Sequence, residues 1–167
     1  MANCGWLFIL ASMVLTTACT TSPPRNPDNL CDIFREKDDW YADAQKAEKR
    51  WKSPIASMMA IMHQESRFVA KAQPPRTKIL WIFPGPRPST AYGYSQAKDE
   101  TWSWYQNNSG NGWADRDDFG DAIDFIGWYN YQSGRMSKIK SNDTYHLYLA
   151  YHEGHGGFNR RTFNSKP

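Results

Sequence analysis

The chain has little of what usually staples or loads a small domain. Three cysteines in 167 residues, at positions 4, 19 and 31, are too few to build a disulfide framework. Four histidines are present, and His152-Glu153-Gly154-His155 looks superficially like a zinc-peptidase motif. That motif needs two His four apart on one continuous helix face, whereas here the spacing is three and Gly154, Gly156 and Gly157 interrupt the helix. No metal and no cofactor are expected. Long runs of one charge are also missing: 20 Lys and Arg interspersed with 17 Asp and Glu give a net charge of +3, which argues against a dedicated nucleic-acid surface and leaves room for mild attraction to an anionic one. There is no internal repeat, and no βαβ alternation.

What is present begins with a short apolar stretch. Gly5 to Val14 is too short to cross a bilayer as a mature helix and has the length of a signal-peptide core, although no Lys or Arg precedes it. The segment after it, Leu15-Thr16-Thr17-Ala18-Cys19, resembles the lipobox of bacterial lipoproteins, with its Leu one position early. That resemblance implies cleavage before Cys19, lipidation of Cys19, and residence in the bacterial envelope on the periplasmic side, with Thr20 in place of Asp favouring the outer membrane. An uncleaved anchor and an ordinary secretory signal are the alternatives. Cys4 then leaves with residues 1–18, and Cys31 has no intramolecular partner. Residues 19–30 are polar and proline-containing and read as a tether, which leaves 31–167 as the folded domain.

Within that domain, apolar residues at Ile33, Phe34, Trp40, Tyr41, Ala44, Ala47 and Trp51 predict an amphipathic helix from Asp32 to Trp51. Ser53-Pro54 predicts a helix start with a hydroxyl cap, and Ile55 to Met62 is apolar on every face, as a core helix would be. That helix delivers His63, Gln64 and Glu65 to its C-terminal end, where a carboxylate faces the negative end of the helix dipole. Gln73 to Ala91, with Ile79-Leu80-Trp81-Ile82-Phe83 among its prolines, predicts a long loop with one short strand or hairpin, bordering a groove against the core helix. Further helices are expected from Ala97 to Tyr105, from Asp118 to Ser133 after an Asp117 cap and before Gly134, and from Asp143 to His152 after Ser141 or Asn142, stopping at Gly154. Aromatics make up 15% of the chain, enough for either a dense core or a sugar-stacking groove.

Three segments narrow the reading. Glu65-Ser66-Arg67-Phe68, Tyr92-Gly93-Tyr94-Ser95-Gln96 and Ala150-Tyr151-His152-Glu153-Gly154 resemble, in order and position, the Glu-Ser-x-Phe, Gly-Leu-Met-Gln and Ala-Tyr-Asn-x-Gly segments of the family-one lytic transglycosylases. The resemblance runs from Ser53 to Phe158, about two thirds of the chain. Departures are Tyr94 and Ser95 for Leu and Met, His152 for Asn, and a 31-residue separation between Glu65 and Gln96 that is long for the family, which marks a divergent branch.

The resemblance implies a mainly α, lysozyme-like (α+β) single domain with a long Pro-rich loop or short hairpin insertion. It implies cleavage of peptidoglycan glycan strands, with Glu65 as acid and then base and a 1,6-anhydro sugar as product. Ser66, Gln96 and Tyr151 would contact the sugar, with Tyr94, His152 and Glu153 as further candidates. A carboxyl at the rim of an apolar helix has its charged form disfavoured by desolvation, which is the direction an acid catalyst needs. Because the attacking hydroxyl belongs to the sugar, no second carboxylate is required; a hydrolytic muramidase would normally need one, from Asp99, Glu100, Asp115 or Glu153. A wall-binding lipoprotein without turnover is the remaining alternative. By analogy alone, the partner would be an envelope-spanning secretion or conjugation machine.

Overall fold

The computed structural model describes residues 22–165, so the apolar stretch Gly5 to Val14 and Cys19 lie outside the described residues. Of the stretch read as tether, Pro24 is buried, the Arg25 amide donates to Glu36 Oε2 at 2.9 Å, and Asp28 Oδ1 lies 3.0 Å from His63 Nε2.

The first expected helix is two. Asn29 accepts from the Cys31 and Asp32 amides to start α1 (Leu30–Glu36), and the chain leaves helical dihedrals at Lys37 before α2 (Asp38–Trp51). Asp38 and Asp39 account for the restart, because paired carboxylates favour the positive end of a new helix over the interior of an old one. From α2, Trp40 stacks on Phe119 at 3.9 Å and 3°, and Trp51 Nε1 donates to Asp124 Oδ1 at 2.8 Å.

Helix α3 (Ile55–Ser66) starts one residue late. Glu48 of α2 accepts from the Ile55 amide at 3.0 Å and serves as the cap, which frees Ser53 Oγ to accept from the buried Asn130 Nδ2 at 2.9 Å. Nor is the helix buried all round: Met58, Met59, Ile61 and Met62 are buried, while Ala56 and Ala60 face outward. Arg67 and Phe68 then take left-handed conformations, φ 49° and 63°, and turn the chain sharply past Glu65.

The insertion contains the expected hairpin, with β1 (Lys78–Ile79) antiparallel to β2 (Phe83–Pro84) in the register Ile79↔Phe83. Its turn puts Leu80 and Trp81 at φ 50° and 67°, a conformation that costs a non-glycine residue roughly 1 kcal/mol. Beyond the insertion, Gly93 has φ 79° and a side chain there would collide with the Arg116 carbonyl, so this turn needs glycine.

Helix α4 (Asp99–Ser109) begins and ends later than the spacing predicts. The central helix α5 (Phe119–Ser137) is capped by Asp118, whose side chain accepts from the Asp121 amide, because Asp117 is already taken by the Tyr92 hydroxyl at 3.0 Å. Gly134 continues α5 instead of closing it, and the chain leaves at left-handed Lys138. Ten of its 19 residues are buried, which makes α5 the axis against which α2, α3, α4 and α6 pack. Helix α6 (Thr144–Asn159) takes its cap from Asp143 and not from Ser141 or Asn142. Gly154, at φ 71° and ψ 156°, breaks it as expected, but a further helical piece continues to Asn159.

Six α-helices and one two-residue hairpin among the described residues make the mainly α, lysozyme-like architecture that the motifs imply. None of these helices is long and apolar enough to cross a membrane.

Candidate active site

The C-terminal end of α3 and the stretch of α6 just before its break at Gly154 converge on the turn from Tyr92 to Gln96. Two hydrogen-bond sets hold them. Gln96, itself left-handed at φ 51°, donates from Nε2 to the carbonyls of Ala72 and Gly93 at 2.9 and 2.8 Å, which fixes the turn. The Tyr151 hydroxyl donates to the Ser95 carbonyl at 2.6 Å, which fastens α6 to it. A cleft of about 500 Å³ opens beside this junction, with Glu65 from α3, Lys98 and Thr101 beyond the turn, Phe125 and Tyr129 from α5, and Tyr151 to Gly154 from α6 in its walls.

Glu65 is the penultimate residue of α3 and is half-buried. Burial pushes its carboxyl up from 4.5 to about 7, opposed by the positive charge of His152. None of the described residues donates a hydrogen bond that would stabilise its ionised form. The result is a carboxyl still substantially protonated at neutral pH. Its aromatic neighbours stay neutral: burial and the Glu65 charge raise both Tyr148 and Tyr151, the latter well above the usual phenol range.

Behind the cleft wall, Tyr129 lies flat on His155, centroids 4.4 Å apart at 16°, and meets Tyr151 edge-on at 5.0 Å. The His155 Nε2 is 2.9 Å from Ser133 Oγ, and burial lowers the imidazole's pKa so that it stays uncharged. Aromatic support of this kind sets the position of Tyr151 and makes that side of the cleft aromatic.

Of the residues singled out in the sequence, Glu65, Gln96, Tyr151, His152 and Glu153 come together. Ser66 does not: it is buried, and its hydroxyl turns back to the Met62 carbonyl at 3.3 Å. Tyr94 is also elsewhere, 3% exposed in the core with its ring edge-on to Trp40 and Phe119. The insertion borders the cleft only at Ala91; its hairpin takes no part in the walls, so the groove runs between α3, α5 and α6 and not between α3 and the loop. Phe125, Tyr129, Lys98 and Thr101 were missed. Phe125 and Tyr129 are four apart on a helix buried along most of its length, where nothing in the spacing separates a wall from a core residue.

The four carboxylates considered as partners for Glu65 also separate. Asp99 pairs with Arg116 at 2.8 Å, and Glu100 and Asp115 are exposed. Glu153 lines the cleft, but Oε1 lies 3.1 Å from His152 Nδ1 and Oε2 accepts from Thr162 Oγ1 at 2.6 Å. His152 points outward and His155 inward, so the two imidazoles have different neighbours, Glu153 and Ser133.

A family model described as the transglycosylase SLT domain matches residues 7–167. No curated protein and no solved structure matches the chain. The matched region takes in all three converging segments and nearly the whole sequence. The chain belongs to the transglycosylase SLT domain family, whose general activity is that of lytic transglycosylases acting on peptidoglycan.

Proposed function

We propose that this protein cleaves the β-1,4 bond between N-acetylmuramic acid and N-acetylglucosamine with Glu65 as the sole acid and base, leaving 1,6-anhydro ends. The observation that carries the proposal is the half-buried Glu65 carboxyl, raised to about 7, in a cleft walled by Tyr129 and Tyr151. In the first step the Glu65 proton passes to the glycosidic oxygen as the C1–O4 bond breaks and the N-acetylglucosamine hydroxyl departs. In the second, the Glu65 carboxylate takes the proton of the muramic acid 6-hydroxyl as that oxygen closes on C1. The acid is regenerated and no water is consumed.

Gln96 and Tyr151 enter as positioning residues, since their hydrogen bonds hold the Tyr92–Gln96 turn against α6. His152 and Glu153 line the same cleft, which supports them as further sugar contacts. A hydrolytic muramidase would ask Glu153 to activate water, but both its oxygens already face partners, His152 and Thr162, which favours the transglycosylase reading.

The proposal extends to location. Residues 1–18 are removed, Cys19 is lipidated, and residues 19–30 hold the 31–167 domain off the outer membrane on its periplasmic side; the lipobox-like run Leu15 to Cys19 supports this. Labelling with a radioactive fatty acid is expected to mark the wild-type chain and not Cys19→Ala, and equal labelling of both would overturn it.

Mass spectrometry of the fragments released from purified peptidoglycan tests the chemistry. Products lighter than the hydrolytic fragment by one water, with anhydro ends, are expected. Reducing ends would establish a muramidase instead, and retention of the protein on sacculi without release would establish a binding module.

A further inference from the structure

The hairpin left over from the cleft has an unusual surface. Its tip exposes Ile79 at 51%, Leu80 at 76%, Trp81 at 90%, Ile82 at 79% and Phe83 at 59%, five consecutive large apolar side chains in one turn. Scattered exposed apolar residues are ordinary, but a contiguous set at the end of a protruding element marks an interaction surface. The stalk beneath the tip is stiff. Five of the 15 residues from 74 to 88 are proline, the Thr77 amide bonds to the Pro86 carbonyl at 3.0 Å, and the Gly85 amide returns to Thr77 at 2.6 Å. Gly85 is buried there, and a side chain on it would strike Thr77 Oγ1.

Charge identifies the occupant. From Ser66 to Lys98 the chain has no Asp or Glu and six Lys or Arg. Among the described residues, Arg76, Lys78 and Arg87 at the base of the hairpin form no ion pair; Arg76 and Arg87 donate to the backbone carbonyls of Gly85 and Pro74 and keep their charge at the surface. An apolar tip with Trp and Phe above a ring of free cations matches the order in which a bilayer presents its acyl boundary and its anionic headgroups. Sugar fits less well, because Ile79, Leu80 and Ile82 are neither flat nor able to hydrogen-bond to hydroxyls. A second copy of the chain fits less well too, since two such tips would bring their cations together.

We propose that the tip from Ile79 to Phe83 inserts into the interface of an anionic phospholipid bilayer, with Arg76, Lys78 and Arg87 at the headgroups. It gives the protein a membrane contact made by the folded domain itself, independent of Cys19 and of the reaction in the cleft. The depth is interfacial, because Lys78 adjoins the tip and Arg76 and Arg87 lie only three and four residues from it along the chain.

The test adds the full chain to vesicles of phosphatidylcholine alone or with phosphatidylglycerol, where the N-terminal segment is common to every variant. Hydrogen exchange is expected to slow across residues 78–84 on the anionic vesicles, and brominated acyl chains are expected to quench more fluorescence in the wild type than in Trp81→Leu. Leu80→Ser/Trp81→Ser/Ile82→Ser should lose the protection while retaining the wild-type melting temperature, and Trp81→Ser alone serves if the triple variant fails to fold. Replacing Arg76, Lys78 and Arg87 by Gln should weaken the tip's preference for anionic vesicles by about fivefold per cation. Unchanged exchange at 78–84 with both vesicle types would overturn the proposal. So would a triple variant that still shows the protection, that loses only its adsorption to peptidoglycan sacculi, or that changes only from dimer to monomer.

Discussion

Replacing Glu65 by Gln should stabilise the fold, and by an amount that depends on pH. The carboxyl titrates at about 7 in the folded protein against an ordinary 4.5. Since each pH unit is worth 1.36 kcal/mol, holding Glu65 ionised in its cleft costs the folded state about 3 kcal/mol. The sign follows from proton uptake. Between pH 4.5 and 7 the folded chain binds more protons than the unfolded one, so the wild type loses stability as pH rises through that window and levels off near pH 8. A Gln at this position is neutral throughout and escapes the loss. Urea or thermal unfolding of both proteins from pH 4 to pH 8 should show a gap between them that widens by about 3 kcal/mol, or about 10 °C in Tm for a chain of this length. Any constant difference from the amide's own contacts cancels when only the pH-dependent part is read. A gap that stays flat across the window would mean that Glu65 ionises like an exposed carboxylate, and the argument for a protonated acid at neutral pH would fall.

Three further outcomes follow from the same geometry. His152→Gln removes the charge that opposes the burial effect on Glu65, so the alkaline limb of the pH–rate profile, set near 7 in the wild type, should move upward; an unmoved limb would separate the two residues. Tyr151→Phe deletes the 2.6 Å bond to Ser95 and should cost about 1 kcal/mol in urea unfolding with a larger fall in kcat than rise in KM, whereas a pure KM effect would show that the tyrosine only binds. Gly93→Ala places a side chain against the Arg116 carbonyl at φ 79° and should cost roughly 2 kcal/mol or more, and a wild-type melting temperature would contradict the need for glycine in this turn.

Much of the scaffold was legible because it rests on local chemistry. The apolar run Ile55 to Met62 and the break at Gly154 each point to one conformation in short windows, and the prolines around Ile79 to Phe83 to a short strand or hairpin; a helix, a break and a hairpin are found. Helix ends were less legible, since their caps are settled by distant partners. Glu48 takes the role expected of Ser53, and Tyr92 occupies Asp117 so that Asp118 caps α5. The candidate site divides in the same way. Glu65, Gln96 and Tyr151 stand in recognisable segments, while Tyr129 reaches the cleft through the packing of α5 on α6 and carries no signal in its neighbours. Tyr94 and Ser66 show the converse: a place within a recognisable segment does not make a wall, because alternate positions of a turn and successive positions of a helix end face different ways.

The most direct test of the account is turnover by Glu65→Gln on purified sacculi, measured as soluble fragments released per protein, alongside a melting temperature to show that the variant is folded. The account predicts a folded protein that adsorbs to sacculi and releases no fragments above background at any pH from 5 to 8. Release at the wild-type rate from that variant would contradict it.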